Sequence, residues 1–85
     1  MHDLYAAQDI IEAAVKTAKS KKIKKISKLT ISLGQIEDHG DVILESNLRF
    51  NIKMLAKNTL VEGAAVVIEK SKGHQCVLTG IEGDQ

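Results

Sequence analysis

Apolar residues at Leu4, Ala7, Ile11, Ala14 and Ala18 recur at intervals of three and four, and Ile10 and Val15 widen the stripe. That spacing predicts an amphipathic helix over residues 4–18, because a 3.6-residue repeat gathers such positions on one face. Gln8, Asp9, Glu12, Lys16 and Lys19 fall on the opposite face. Asp3 stands just ahead as an N-cap, its carboxylate suited to the free N–H groups of a first turn. Acidic residues early and lysines late agree with the helix dipole. A lysine-rich connection follows over residues 20–25, and then the period changes. Leu29, Ile31 and Leu33 alternate with Thr30 and Ser32, which predicts a strand with one buried face. Gly34 closes it, and residues 36–41 read as a polar loop.

Asp41 is the expected N-cap of a second helix running to about Leu55, with Leu44, Leu48, Ile52 and Leu55 as its stripe and Ile43, Phe50 and Met54 beside it. Asn58 and Thr59 break it. Residues 64–68 are β-branched or apolar on both sides, the pattern of a central strand. Ser71-Lys72-Gly73 is turn chemistry, residues 76–81 form a short last strand, and residues 83–85 are a frayed end. The order is α–β–α–β–β, with the last two strands as a hairpin. The β–α–β unit implies parallel strands and a right-handed crossover. The expected fold is α+β: a two-layer sandwich with both helices on one face of a three-stranded mixed sheet.

Composition narrows the function. With 85 residues the chain suits a single domain over residues 1–85, and 44% hydrophobic residues mark it as globular. Tyr5 and Phe50 are the only aromatic residues, so the core is aliphatic. The chain is too small for a pocket, a cofactor and a lid together, which disfavours an enzyme. No serine lies in a nucleophile elbow, no phosphate loop follows Gly34 or Gly40, and Glu37 and Asp38 fall in the polar loop. One cysteine makes neither an internal disulfide nor a zinc finger. No apolar run is long enough for a leader or a membrane span, so a cytoplasmic location is expected.

Three features remain as candidate chemistry. Lys16, Lys19, Lys21, Lys22, Lys24, Lys25 and Lys28 form a basic cluster; without interleaved arginine or aromatic residues it reads as a solvated helix end, and no nucleic-acid partner is expected. Cys76 alternates into the last strand as a small core residue rather than a metal ligand. In the start Met1-His2, the terminal amine, the deprotonated His2 amide and the imidazole can close fused chelate rings. Such nitrogen donors in a plane suit nickel(II) or copper(II). The site forms near or above neutral pH, where the amide proton can be displaced.

Met1-His2-Asp3 resembles the Met-His-Glu start of the HypA family, the nickel metallochaperones of [NiFe]-hydrogenase maturation. Ile31-Ser32-Leu33-Gly34 resembles the strand and glycine after the family's first helix, and Leu48-Arg49-Phe50 its second-helix Leu-Arg-Phe. Asn58-Thr59-Leu60-Val61-Glu62-Gly63-Ala64 is similar to the family's entry into the next strand. The resemblance covers nearly the whole chain, and its order of elements agrees with the one derived above.

Three departures stand beside it. The family's zinc-binding insertion with two Cys-x-x-Cys pairs is missing, so no zinc is expected. Cys76-Val77-Leu78-Thr79 reads either as a relic of the first pair or, preferably, as part of the family's C-terminal strand. On the second placement a hairpin turn near residues 71–74 replaces the zinc domain. Asp3 stands where the family has glutamate. The loop after Gly34 is longer and carries Asp38, His39 and Asp41. His74 reads as a solvated turn residue.

The resemblance implies a nickel(II) carrier in which Met1 (amine), His2 and Asp3 (backbone nitrogen) chelate the metal, with His39 or Asp38 as the fourth ligand. It also implies delivery to a hydrogenase large subunit together with the pathway's nucleotide-hydrolysing maturation protein, and a homodimer is compatible with it. The alternative is a degenerate HypA-like paralogue that acts as a protein-interaction module without metal.

Overall fold

The architecture follows from where each stripe finds an apolar partner. The computed structural model describes residues 3–34, 37–38, 41–73 and 75–85. α1 spans Asp3–Ser20, β1 Lys25–Leu33, α2 Glu45–Leu55, β4 Ala65–Lys70 and β5 Cys76–Asp84; two short strands, β2 (Glu37–Asp38) and β3 (Asp41–Val42), lie between β1 and α2. The five long elements keep the expected order. α1 begins at Asp3 itself, one residue earlier than an N-cap role for that residue required.

α1 buries Ala6, Ala7, Ile10, Ile11, Ala14 and Ala18. Four of these are alanines, and small side chains let the helix approach its neighbours closely. Leu4, expected on the buried stripe, is 44% exposed. From α2 the core takes Leu48 and Ile52, and from β1 Ile26, Leu29, Ile31 and Leu33. The core is aliphatic, as composition required.

Several expectations change in the sheet. Its order is β4-β1-β5, so β1 is central and the segment beginning at Ala65 is an edge. β1 pairs parallel with β4 and antiparallel with β5. The last two strands therefore make no hairpin: both flank β1. The link over residues 71–75 crosses the end of β1, where Ser71 donates to the Leu33 carbonyl at 2.9 Å and Gly34 donates to the Gln75 carbonyl at 2.8 Å. That crossing explains Gly34, since a Cβ there would lie 2.1 Å from the Gly73 carbonyl oxygen. Only Val66 of this strand is buried while Ala65 and Val67 are exposed, so the apolar run of residues 64–68 did not mark a strand covered on both faces.

The expected frayed end is also ordered. Gly83 and Asp84 pair with Ile26 and Lys25, and β5 continues to Asp84. Asp41 caps no helix. It belongs to β3, paired with Asp38, while the N-cap position of α2 is Leu44, without a side-chain cap.

The two faces of β1 do not follow one alternation. Ile26 and Leu29 are both fully buried although three residues apart. The register with β5 slips there by one residue, leaving Ser27 extra, and slips again at Thr79. A bulge inserts one residue and so switches which parity faces the core. Each extra residue turns its hydroxyl to the partner strand: Ser27 Oγ donates to the Glu82 carbonyl at 3.2 Å, and Thr79 Oγ1 to the Thr30 carbonyl at 3.1 Å.

The break after α2 is built from its own residues. Asn58 has φ 65° and Gly63 φ 80°, both left-handed. Thr59 Oγ1 donates to the Ala56 carbonyl at 2.7 Å and accepts from the Val61 N–H at 3.0 Å, while a Glu62 carboxylate oxygen accepts from the Asn58 N–H at 3.1 Å. Leu60 then reaches β1, its carbonyl accepting from the Ile26 N–H at 2.9 Å.

Candidate metal centre

The candidate ligands lie at element ends. Asp3 opens α1, so its backbone nitrogen is among the first-turn N–H groups that have no acceptor within a helix. Met1 and His2, on which the chelate depends, lie outside the described residues. Asp38 closes β2 and pairs with Asp41 of β3, which fixes its backbone in a two-rung ladder. His39, the other candidate fourth ligand, lies outside the described residues, as does His74. Among the described residues no three His, Cys, Asp or Glu side chains converge to hold a metal ion.

The surroundings of these segments are clear. β1 ends at Leu33, and the β2–β3 segment departs from there and returns at Ile43 and Leu44. A cavity of about 270 Å³ at this junction is lined by Leu33, Gly34, Ile43, Leu44, Lys70 and Ser71, with Glu45 of α2 at its side. The link over residues 71–75 crosses the same end of β1. Ile43 and Leu44, which follow β3, and Ser71 and Gln75 of the link to β5 thus meet at this end of β1. At the start of α1, Leu4 lines a depression with Gln8, Ile11, Glu12 and Leu55.

Cys76 pairs with Leu33 and packs half-buried against the core. Burial pushes its thiol above the ordinary value. A thiol that resists ionisation is a poor metal ligand, because the thiolate is the binding form. The reading of Cys76 as a small strand residue therefore agrees with its surroundings.

Two of the motifs singled out in the sequence serve the scaffold. Residues 58–64 form the turn just described. In Leu48-Arg49-Phe50, Leu48 is fully buried and Phe50 is 67% exposed. Arg49 donates to the Val66 carbonyl of β4 and pairs with Glu45 at 3.7 Å. Nothing in the hydrophobic pattern marked Arg49 as a bridge between α2 and the sheet, because its acceptor lies 17 residues away on another element. The bulge at Ser27 did leave a trace: the three-residue step from Ile26 to Leu29 is incompatible with a regular strand.

The family model for "Hydrogenase/urease nickel incorporation, metallochaperone, hypA" matches residues 1–80. The chain belongs to the HypA family. Similar relatives carry the name hydrogenase maturation factor HypA. The protein of Caldanaerobacter subterraneus is 30% identical over 69 residues, covering 81% of this chain and 57% of the relative. That of Methanobrevibacter smithii is 36% identical over 70 residues, 82% of this chain and 53% of the relative. That of Methanocaldococcus jannaschii is 30% identical over 90 aligned residues, 99% of this chain and 69% of the relative. The chain spans little more than half the length of the first two HypA relatives. Neither the family's description nor the relatives' names describe an enzyme, in agreement with what the size of the chain suggested. Among the described residues no helix is long and apolar enough to cross a membrane.

Proposed function

We propose that this chain is a cytoplasmic nickel carrier of the HypA type, which binds nickel(II) as cargo at its N-terminus and passes it to a nickel enzyme such as a [NiFe]-hydrogenase. The observation that carries this reading is the family match, which begins at Met1 and includes His2 and Asp3. The donor chemistry fits the metal. The Met1 amine, His2 and the Asp3 backbone nitrogen supply three nitrogen ligands of the kind that favour a planar nickel(II) site. Using the Asp3 nitrogen sacrifices no helical hydrogen bond, since Asp3 opens α1. His39 or Asp38 supplies the fourth position. Transfer proceeds by ligand exchange to a hydrogenase large subunit, with the nucleotide-hydrolysing maturation protein as a second partner.

In this reading residues 1–85 are one nickel-binding domain without a zinc domain, and the link over residues 71–75 stands in its place. The single cysteine supports that, because a structural zinc site of this kind draws on several thiolates.

Calorimetric nickel titration of the chain, of His2→Ala and of a variant with two residues added ahead of Met1 tests the proposal. The unaltered chain is expected to bind one equivalent of nickel(II) with a weak visible band typical of planar nitrogen ligation. Both variants lose it while keeping the circular dichroism of the fold. Equal uptake by all three would sink the N-terminal site and favour the protein-interaction module.

A further inference from the structure

Among the described residues β4 has β1 on one side and no strand on the other. Ser71 donates to Leu33 of β1, and successive strand residues turn their N–H and C=O groups to opposite sides. Residues 65, 67 and 69 therefore face β1, whereas Val66, Ile68 and Lys70 face the open edge. The strand reads Ala-Val-Val-Ile before its first charge. An apolar edge with free backbone groups is a template for another strand. The opposite edge, β5, is interrupted by the bulge at Thr79 and by Gly80, Glu82 and Gly83. β4 has no such interruption. It has Arg49, whose guanidinium donates to the Val66 carbonyl of that outer row and is anchored one helical turn back by Glu45, 3.7 Å away. The planar guanidinium carries enough donors to serve both oxygens and stays charged at every relevant pH.

We infer that Arg49 is an edge guard: by occupying the Val66 carbonyl it keeps β4 from pairing with β4 of a second copy of this chain. The second copy is the fitting occupant because an antiparallel pairing centred on Ile68 is self-complementary. In that register Val66 faces Lys70 and Val67 faces Glu69, so no charge meets its own sign across the pair. Two-fold symmetry then closes the assembly at a dimer with a continuous six-stranded sheet. Arg49 holds this surface shut in the single chain.

Light scattering coupled to size-exclusion chromatography, run over a concentration series, tests the inference on the full chain. Arg49→Met keeps the aliphatic stem and removes the donors. The unaltered chain is expected to elute at the mass of one chain. R49M shifts toward twice that mass as concentration rises, with slower amide exchange at Val66, Ile68 and Lys70. Adding Lys70→Pro returns R49M to one chain, because proline is tolerated where the N–H faces outward and removes a donor that the pairing needs. Should R49M fail to fold by circular dichroism, Glu45→Gln loosens the same anchor and gives a smaller shift in the same direction. The inference is overturned if neither variant shifts in mass or exchange, if K70P does not dissolve the dimer, or if the unaltered chain already pairs through this edge.

Discussion

The two ends of β1 meet the same steric demand, and only one of them leads to candidate chemistry. At the start, Gly83 of β5 lies against β1, where a Cβ would come within 2.2 Å of the Lys25 carbonyl oxygen and 2.7 Å of Ile23 Cγ2. At the end, Gly34 lies under the residue 71–75 link, where a Cβ would come within 2.1 Å of the Gly73 carbonyl oxygen. Both are close approaches of one backbone to another. The start is surrounded by lysines, of which Lys28 pairs with Glu82 at 3.6 Å on the surface. The end gathers Ile43, Leu44 and Ser71 around Leu33 and Gly34, and the chain continues from there in sequence toward Asp38 and the candidate ligand His39. Similar packing therefore supports a plain solvated end and a candidate metal end, so close packing does not by itself mark function.

Replacing each glycine by alanine separates the two roles. Gly34→Ala and Gly83→Ala are each expected to cost about 1–3 kcal/mol in urea denaturation, the usual range for forcing an atom into a filled site. G34A is also expected to weaken nickel binding, because Gly34 immediately precedes in sequence the segment with the candidate ligands Asp38 and His39, while G83A leaves the nickel titration unchanged. Identical nickel titrations for the two variants would erase the functional distinction between the ends.

The single thiol gives a smaller contrast. Cys76 belongs to the candidate metal end, yet burial raises its pKa, so iodoacetamide at about pH 8.5 should alkylate the folded chain several-fold more slowly than the urea-unfolded chain. The unfolded chain releases this proton first, so stability is intact below the ordinary thiol value of 9.0 and falls as pH rises beyond it. Equal alkylation rates would show an accessible thiolate and restore Cys76 as a possible ligand.

The smallest effect belongs to the lysine end. Lys22 has φ 60°, a left-handed conformation that glycine adopts without strain. Lys22→Gly is expected to raise stability by less than about 1 kcal/mol, since glycine also gives the unfolded chain more freedom. A loss of stability, read from the urea midpoint, would mean that the lysine side chain contributes contacts at this turn.

Much of the fold was legible in local pattern. The helical stripe of residues 4–18 and the alternation of residues 29–33 report a period that one element carries by itself. The turn at Asn58 and Thr59 was legible for the same reason, because its hydrogen bonds stay within residues 56–62. Sheet order was not. Whether β4 or β1 is central depends on which strand accepts two neighbours, and the apolar run of residues 64–68 fits either position. The cap of α2 was misread because Asp41 found a strand partner in Asp38 before it reached a helix. For the candidate site, the sequence names the donors through Met1-His2-Asp3 and the family likeness, whereas Arg49 acquires its role only when α2 and β4 come together.

The sequence by itself determined the elements, the aliphatic core, the family and the nitrogen-rich start, because each rests on residues that are neighbours in the chain or on a motif that spans it. Tertiary structure alone decided that β1 lies between β4 and β5, that Gly34 and Gly83 have no room for a side chain, and that Arg49 covers an open edge. Those outcomes depend on distances between backbones far apart in the chain, and no local period of hydrophobic residues encodes them.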